Sequence, residues 1–230
     1  MTPRLYLPAD LGANQTVKGT EAQAHYLRAV LRRAPGDAVL LFNGQDGEFA
    51  ARIETLAKHE VRFALGDRLR APADEPGVVL AFCLLKRDAT DLVVQKATEL
   101  GASELWPIVS ERTNAGQVNL ARLTAIASEA AEQSERLTVP AIHGPRRLEA
   151  LLAEWPPARP LAAALERAHA PPPTRETGLL VGPEGGFSAR ELDALRSAPF
   201  IHPVSLGPRI LRAETAAIAG LALLLARHPV

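Results

Sequence analysis

The sequence predicts an α/β protein in two parts, a small antiparallel sheet or barrel followed by a mostly parallel sheet covered by helices. Three observations support this prediction. Short alternating strands dominate the first seventy residues, a proline- and glycine-containing segment follows, and strands then alternate with helices to the end. Such alternation is typical of a parallel sheet with helices on both faces. We therefore expect domains at 1–70 and 78–230, joined by a linker at 71–77.

In the amino-terminal part, hydrophobic periodicity predicts four strands and one helix. The helix covers Glu21–Arg32, and a turn cluster at Asn43–Gly47 separates two of the strands. Their short spacing favours a small antiparallel sheet or barrel. The strand candidates are Arg4–Leu7, Ala38–Phe42, Glu48–Ile53 and His59–Leu65.

After the linker, apolar runs of strand length alternate with amphipathic segments of helix length. The strand candidates are Val78–Leu84, Glu104–Val109, Leu161–Leu165, Gly178–Val181 and Pro203–Leu206. The helix candidates are Asp88–Leu100, Leu120–Leu137, a helix opened by the capping box Ser188–Glu191, and Glu214–Arg227.

Composition excludes several classes of protein. The chain has 26 basic and 26 acidic residues, so a polycation is excluded and an RNA partner must be bound by a local patch. Cys83 is the single cysteine and the six histidines are scattered, which predicts neither a disulfide framework nor a metal site. The longest apolar run, Ala216–Ala226, is too short to cross a bilayer, and the amino terminus lacks a secretory pattern. We expect a cytoplasmic protein.

Two glycine-rich segments follow strand candidates, where ligands bind in open α/β sheets. Gly182–Phe187 follows one strand and Gly207–Thr215 follows another. Neither matches the dinucleotide fingerprint or the phosphate loop, and no serine-hydrolase elbow occurs. These absences disfavour a Rossmann dehydrogenase, a P-loop nucleotidase and a serine hydrolase.

Five segments together resemble the RsmE family of SPOUT methyltransferases. They occur in family order and cover nearly the whole chain. Asn43 is a departure, because the family pattern has aspartate before Gly44. The matching segments are HYLRAVLR at 25–32, QKATELG at 95–101, EQSER at 132–136 with Pro140, GPEGG at 182–186 and LGPRILRAET at 206–215.

The resemblance implies an enzyme that transfers a methyl group from S-adenosyl-L-methionine to N3 of one uridine in 16S ribosomal RNA, and that acts as a homodimer on that RNA or on the small subunit. It also implies a PUA-like RNA-binding barrel at 1–70 and a SPOUT domain with a carboxy-terminal trefoil knot at 78–230. General topology rules alone predict an unknotted sheet. Two alternatives stay open: a SPOUT ribose 2′-O-methyltransferase, and a non-catalytic RNA-binding factor for ribosome assembly.

Uracil N3 carries a proton that must leave, so the reaction needs a base or a cation that stabilises the imide anion. Arg212 and Arg209 are the candidate cations, and Glu214 is a weaker candidate base. The glycine-rich segments offer bare backbone and apolar walls for the cofactor. The expected cofactor-binding residues are Val181, Gly182, Gly185, Gly186, Leu206, Gly207, Ile210, Leu211, Arg212 and Thr215.

A local excess of positive charge predicts RNA binding by the amino-terminal part, because residues 1–33 hold five basic and two acidic side chains. A polar stripe at helical spacing that includes Glu132, Gln133 and Arg136 is expected near the RNA cleft. The expected RNA-binding residues are Arg4, His25, Arg28, Arg32, Arg33, Lys86, Lys96, Arg112, Glu132, Gln133 and Arg136.

Overall fold

The computed structural model describes residues 2–72, 75, 77–114, 117–165 and 170–226. The chain divides into two compact units: unit 1 is Met1–Asp74 with Ala131–Val139, and unit 2 is Glu75–Ala130 with Pro140–Val230. The predicted linker at 71–77 lies partly outside the described residues, since 73, 74 and 76 are not among them. The division into 1–70 and 78–230 stays a prediction, whereas packing adds the segment 131–139 to unit 1.

Unit 1 contains one five-stranded sheet. Its strands are β1 (Arg4–Tyr6), β2 (Thr16–Lys18), β3 (Ala38–Asn43), β4 (Gly47–Leu56) and β5 (Val61–Arg70). They lie in the order β1-β3-β4-β5-β2. The β1–β3 pair is parallel and the other pairs are antiparallel, so the antiparallel prediction fails for the first strand. β2 was not predicted, because three residues carry too little periodicity to identify a strand.

The amino-terminal helix is shorter and less regular than predicted. A capping box between Thr20 and Gln23 opens α1 (Glu21–His25), as such boxes do for α-helices. The chain then makes a π-helical turn over Tyr26–Val30 instead of continuing to Arg32. Arg32 has φ +53°, which ends the helical segment. Apolar spacing does not distinguish this turn from an α-helix, since Ala24, Leu27 and Leu31, spaced as in an α-helix, all pack on the core of unit 1.

Arg4 attaches the segment 131–139 to the sheet of unit 1. Its guanidinium pairs with Glu48, lies 3.5 Å from the centre of the Phe42 ring, and donates hydrogen bonds to the backbone carbonyls of Ala131 and Arg136. The Arg4 side chain is only 8% exposed. Because a buried charge is stable only when paired and hydrogen-bonded, Arg4 is a structural residue of unit 1.

Asn43 closes the turn between β3 and β4, and its contacts account for the departure from the family pattern. Its Oδ1 accepts hydrogen bonds from the N–H groups of Gln45 and Asp46, at 3.0 and 2.6 Å. Its Nδ2 donates to the Ala9 carbonyl and to the Asp46 carboxylate, at 2.8 and 2.9 Å. The hydrogen bonds from the Leu11 N–H and from Asn43 lower the pKa of Asp46. An aspartate at position 43 has no amide to donate these bonds.

Unit 2 contains a sheet in which every pair of neighbouring strands is parallel, as predicted. The strand order is β12-β10-β11-β6-β7-β8, and β9 also pairs with β7. The strands are β6 (Val79–Cys83), β7 (Glu104–Val109), β8 (Ala141–Ile142), β9 (Arg146–Arg147), β10 (Leu161–Ala164), β11 (Gly178–Val181) and β12 (Ile201–Val204).

Helices pack on both faces of this sheet. The helices that begin in unit 2 are α2 (Arg87–Leu100), α3 (Leu120–Gln133), α4 (Leu148–Glu154), α5 (Ala189–Ser197) and α6 (Ala213–Leu225), and the last three residues of α3 belong to unit 1. Leu180 of β11 shares one core with Leu151 of α4 and Leu195 of α5. The neighbouring Leu179 meets Gly220 of α6, where an added Cβ would lie 2.6 Å from its Cδ2. Alternate side chains of one buried strand thus contact helices on opposite faces.

Two predicted elements have different bounds. α3 ends at Gln133 rather than Leu137, because Glu135 has φ +59° and turns the chain. β12 lies two residues before the predicted Pro203–Leu206, and its proline is accommodated because β12 is an edge strand. The short elements α4, β8 and β9 were not predicted. Arg227, the predicted end of the last helix, lies outside the described residues.

Candidate active site

A cavity of about 850 Å³ opens at the carboxyl ends of three adjacent strands of unit 2. Ala164, Val181 and Val204, the last residues of β10, β11 and β12, all line it. The carboxyl edge of a parallel sheet is where ligands bind in such folds. The segments after β11 and β12 complete the walls, and we call them the glycine loop (Gly182–Phe187) and the arginine loop (Ser205–Arg212).

The structure brings most of the expected cofactor residues together. Thr215 is the exception, because it is exposed on the first turn of α6 while Ala213 and Ala216 of that turn line the cavity. The expected residues that line it are Val181, Gly182, Gly185, Gly186, Leu206, Gly207, Ile210, Leu211 and Arg212.

Sequence reasoning missed other residues that line the cavity. Some of them could have been found, because β10 was predicted and residues at the carboxyl end of a strand beside β11 are expected to lie near the same ligand. The missed residues are Ala164, Leu165, Pro183, Glu184, Phe187, Leu192, Val204, Ser205, Pro208, Ala213 and Ala216.

Backbone and side-chain contacts hold the glycine loop. Gly186, at φ +68°, donates its N–H to the Pro183 carbonyl at 2.9 Å, which closes a tight turn. Arg112 donates to the Gly185 carbonyl at 3.0 Å. Gly182 lies so close to the Phe187 ring that an added Cβ would approach a ring carbon to 2.8 Å. Phe187 itself is buried, so this close approach requires glycine at position 182.

Glu191 joins the start of α5, directly after the glycine loop, to the loop that follows β7. It forms the capping box of α5 with Ser188, whose N–H donates to the Glu191 carboxylate at 2.8 Å. The other carboxylate oxygen accepts from the Glu111 N–H at 2.7 Å. Glu191 is 3% exposed, so both hydrogen bonds are shielded from water. Arg112, the residue after Glu111, contacts the glycine loop through its guanidinium. By holding the Glu111 backbone, Glu191 therefore helps to position Arg112.

The arginine loop has fewer internal contacts. The Ser205 N–H donates to the Pro171 carbonyl at 3.0 Å, and the Gly207 N–H donates to the Ser205 hydroxyl at 3.3 Å. Gly207 has φ +113°, a backbone conformation that residues with a side chain rarely adopt. The stretch from Gly207 to Ile210 is exposed, and the apolar Ile210 side chain is 66% exposed. The loop therefore presents its backbone and side chains openly beside the cavity.

Four cations line the cavity together with the carboxylate of Glu184. They are Lys86, Arg112, Arg209 and Arg212. All four are exposed, and no carboxylate of the described residues forms an ion pair with any of them. Unpaired cations around a concave opening attract anionic ligands.

Glu214, the candidate base, is placed differently. It lies in the first turn of α6 but does not line the cavity, and its buried Oε2 has no hydrogen-bond partner among the described residues. The geometry therefore favours the cation candidates Arg209 and Arg212 over a carboxylate base at this position. The motif that suggested Glu214 and Thr215 does not show this, because the first turn of α6 places Ala213 and Ala216, three residues apart, at the cavity and leaves Glu214 and Thr215 off it.

The expected RNA-binding residues of unit 1 fall into two groups. His25, Arg28 and Arg32 are exposed on α1 and the turns after it, and Arg33 is half-buried. Gln133, also exposed, ends α3. The others make contacts inside unit 1, because Arg4 is buried as described, Glu132 accepts from the Tyr6 N–H at 2.9 Å, and Arg136 is 9% exposed and donates to Thr138.

In unit 2, Lys96 differs from Lys86 and Arg112. The apolar stripe on which Lys96 lies predicts snorkelling or a buried partner, and the structure shows a half-buried ammonium donating to both Glu99 carboxylate oxygens, at 2.8 and 2.9 Å. Its charge is thereby neutralised by a residue three positions along the helix. Lys96 is therefore a weaker candidate for an RNA contact than Lys86 or Arg112.

Cys83 is not a candidate nucleophile. It ends β6, and burial raises the pKa of its thiol to about 12, so the thiol stays protonated at neutral pH. Within the described ranges, no group of three or more His, Cys, Asp or Glu side chains is arranged to hold a metal ion. No helix in the described part of the chain combines the length and hydrophobicity needed to cross a membrane.

Comparison with known proteins identifies the family. A family model described as an RNA methyltransferase domain matches residues 73–225, and one described as an RNA methyltransferase PUA domain matches residues 20–65. The ribosomal RNA small subunit methyltransferase E of Rickettsia conorii is 34% identical over 227 residues, covering 95% of this chain and 93% of the relative. This chain belongs to the ribosomal RNA small subunit methyltransferase E family.

Solved structures of methyltransferase E relatives share the fold. Methyltransferase E from Neisseria gonorrhoeae, bound to S-adenosyl methionine, is 31% identical with a TM-score of 0.83, and the match covers 96% of each chain. A methyltransferase from Legionella pneumophila in complex with the same cofactor is 30% identical with a TM-score of 0.88, covering 98% of each chain. The predicted family and the PUA-like and SPOUT-type parts are thus confirmed, whereas the trefoil knot stays a prediction.

Proposed function

We propose that this methyltransferase E family member uses S-adenosyl-L-methionine to methylate N3 of one uridine in the 16S RNA of the small ribosomal subunit. One observation supports this most directly: a cavity with apolar walls and open glycine backbone lies at the carboxyl edge of the sheet, surrounded by unpaired cations. We further propose that the protein acts in the cytoplasm as a homodimer. The knot implied by the family resemblance belongs to this proposal.

The cavity fits the chemistry of the cofactor. Leu165, Val181, Val204 and Leu211 supply apolar surface for an adenine ring, and the peptide groups of the glycine loop are open for hydrogen bonding. A cofactor with a sulfonium group and no phosphates needs no phosphate-binding loop, and neither the glycine loop nor the arginine loop has the sequence of one. When bound, S-adenosylmethionine supplies an electrophilic methyl group.

Arg212 and Arg209 act on the RNA base. Uracil N3 would bond to the methyl carbon with the electron pair released when the N3–H bond breaks, and that proton leaves to water. The sulfur–methyl bond breaks in the same step, its electron pair stays on sulfur, and S-adenosylhomocysteine is the leaving group. A guanidinium beside the base stabilises the negative charge that develops on the imide oxygens through hydrogen bonds that are already oriented. Both arginines lie on the exposed arginine loop and have no carboxylate partner in the described chain, so their N–H groups remain available.

Two measurements test this function. Calorimetry with S-adenosylmethionine distinguishes an enzyme from an assembly factor that binds RNA without a cofactor. Nucleoside mass spectrometry of unmethylated small-subunit RNA and of small subunits, each incubated with the protein and cofactor, identifies the product. We expect 3-methyluridine at one position. A ribose 2′-O-methyl nucleoside would instead establish the other SPOUT chemistry, and the absence of cofactor binding would exclude both.

Arg28 and Arg32 provide a test of RNA binding by unit 1. Each exposed guanidinium is expected to contact a phosphate, so the double change Arg28→Ala, Arg32→Ala should weaken RNA binding. The slope of log affinity against log salt should fall by about one for each lost contact. The matched control is Arg62→Ala, because Arg62 is exposed but already paired with Glu60. An unaltered slope in the double variant would exclude this surface as an RNA contact.

A further inference from the structure

A second cavity, of about 270 Å³, lies beside the amino-terminal end of α2 in unit 2. Leu84, Leu85 and Leu123 give it apolar walls, while Arg87 and Gln117 add polar groups. No role has been assigned to it in the chemistry described above. Its volume is below the range of about 300–1,000 Å³ typical of sites for whole small molecules, so a fragment the size of one nucleobase suits it better.

The backbone places this cavity directly beside the first one. Leu85 and Arg87 line the second cavity, whereas Lys86, the residue between them, lines the first. One short backbone segment, 85–87, therefore borders both cavities. The Lys86 ammonium is exposed and without a carboxylate partner among the described residues. A cation on the segment that borders both cavities suits a phosphate that joins two nucleosides.

The free polar groups of the second cavity suit a base better than a lone phosphate. Arg122 is neutralised by an ion pair with Asp91, and the Thr90 hydroxyl exchanges hydrogen bonds with the backbone of Leu85. The Gln117 amide and the Arg87 guanidinium have no partner in the part of the chain that the structure describes. An amide offers both a donor and an acceptor, the combination that amide side chains use to read base edges.

We propose that the second cavity receives the nucleobase adjacent to the target uridine, with Lys86 contacting the phosphate that joins the two nucleotides. This inference rests on the proposed function and adds to it, because Gln117 and Arg87 would then determine which neighbouring base is accepted. Sequence-specific RNA binding typically takes unstacked bases and forms hydrogen bonds to their edges. Enzymes that take a base out of the stack hold it between aromatic or apolar side chains.

The experiment measures preference for the neighbouring base. RNA fragments centred on the mapped uridine, or small subunits carrying the same substitutions, are prepared with each neighbour replaced in turn. The full-length protein should prefer one base on one side by about tenfold or more in kcat/KM, as expected for a side chain that reads a base edge. In Gln117→Ala and Arg87→Ala we expect the ratio of kcat/KM between the preferred base and the others to fall to about twofold or less, with the change in KM rather than in kcat. The affinity for the cofactor, measured by calorimetry, should be unchanged.

Arg196→Ala is the control, because Arg196 is exposed on α5 of the same unit and lines neither cavity. If the wild-type protein methylates RNA without a neighbour preference, or if both variants keep it, the inference is overturned and the proposed function stands. A change of sedimentation in the variants without a change of preference would also overturn it, since the cavity would then be an interface between copies.

Binding of the same RNAs, measured by fluorescence anisotropy, separates failure of the function from failure of the inference. If the wild-type protein binds but does not methylate, the proposed reaction fails. The second cavity is then still supported if Gln117→Ala removes a neighbour preference in binding, and overturned if it does not. Absence of RNA binding by the wild-type protein would overturn both.

Discussion

The glycine loop and the arginine loop line the same cavity, but the rest of unit 2 supports them very differently. The glycine loop is fixed by an internal turn, by the Arg112 hydrogen bond to Gly185 and by the buried Phe187. The arginine loop is exposed from Gly207 to Ile210 and is attached mainly at its ends, through Ser205 and the start of α6. One side of the cavity is therefore preformed, and the other presents cations outward.

This difference indicates a division of tasks. A preformed wall suits a small cofactor whose shape is constant, because ordering the loop then costs no free energy on binding. Exposed arginines suit a large anionic substrate that arrives from solvent. If the division is correct, removal of a cation from the arginine loop should affect catalysis, and changes beneath the glycine loop should affect the stability of the protein. A branched side chain that obstructs the backbone of either loop should weaken cofactor binding.

The largest effect should come from Arg212→Ala in the arginine loop. Loss of one oriented hydrogen-bond donor to a developing anion typically costs about 3–4 kcal/mol of barrier, a reduction of roughly 100- to 1,000-fold. Single-turnover methylation with saturating cofactor and RNA measures it. Arg212→Lys is the companion variant, since it keeps the charge but loses the planar guanidinium.

A reduction of less than about tenfold in Arg212→Ala, which is under about 1.4 kcal/mol, would exclude Arg212 as the catalytic cation. Arg209 would then be tested in the same way. Failure of both would leave alignment of base and methyl carbon as the main source of rate.

Glu191→Ala tests the support beneath the glycine loop. The change removes the buried carboxylate that accepts from the N–H groups of Glu111 and Ser188, and with it half of a capping box. We expect the free energy of unfolding to fall by about 2–3 kcal/mol, measured by urea denaturation. Asp193→Ala is the control on the same helix, because the Asp193 side chain is 79% exposed. A loss similar to the control would show that the loop does not depend on Glu191.

A valine substitution at one glycine in each loop separates packing from ligand access. At Gly182 the new side chain would meet the Phe187 ring, so Gly182→Val should lower the free energy of unfolding. At Gly207 nothing lies within 4 Å of an added Cβ, so Gly207→Val adds backbone strain of about 1–3 kcal/mol and a side chain beside the cavity.

Calorimetry with S-adenosylmethionine should then show weakened binding for Gly207→Val. Gly186→Val should weaken it too, because a branched side chain obstructs the approach of the cofactor to the backbone. Unchanged affinity in both variants would count against these loops as the cofactor site.

The sequence predicted those parts of the site whose structure depends on residues that are close together in the chain. Glycine runs after β11 and β12 and the Ser188 capping box are local signals, and the structure places them as expected. Long-range pairing was not predictable in the same way. Arg4 contacts residues more than 120 positions away, so a buried structural arginine could not be distinguished from an RNA contact. The turn at Glu135 likewise removes Arg136 from the predicted helical stripe.

The smallest expected effect concerns Glu176, which contacts His202 of β12, the strand that leads into the arginine loop. Its carboxylate accepts hydrogen bonds from the N–H groups of Thr174 and Arg175, at 2.8 and 3.1 Å, and from Nδ1 of His202 at 3.2 Å. Burial by itself raises the pKa of Glu176, but the hydrogen bonds from Thr174 and its neighbours outweigh it and lower the pKa below its ordinary value of 4.5. The ionised carboxylate is therefore the form that stabilises the folded state.

A carboxylate with a lowered pKa in the folded state contributes stability above its unfolded pKa and loses it as the pH falls through the folded pKa. Glu176→Gln should thus lower the free energy of unfolding by about 1 kcal/mol at pH 7, and the difference from wild type should shrink below pH 4.5. Urea denaturation at several pH values measures it. Glu184→Gln, at an exposed glutamate of the glycine loop, is the control. A difference that is constant from pH 7 to pH 3 would show that ionisation of Glu176 does not stabilise this region. Of the contacts of Glu176 and Ser205, only the hydrogen bond from the Ser205 N–H to the Pro171 carbonyl would then anchor the start of the arginine loop.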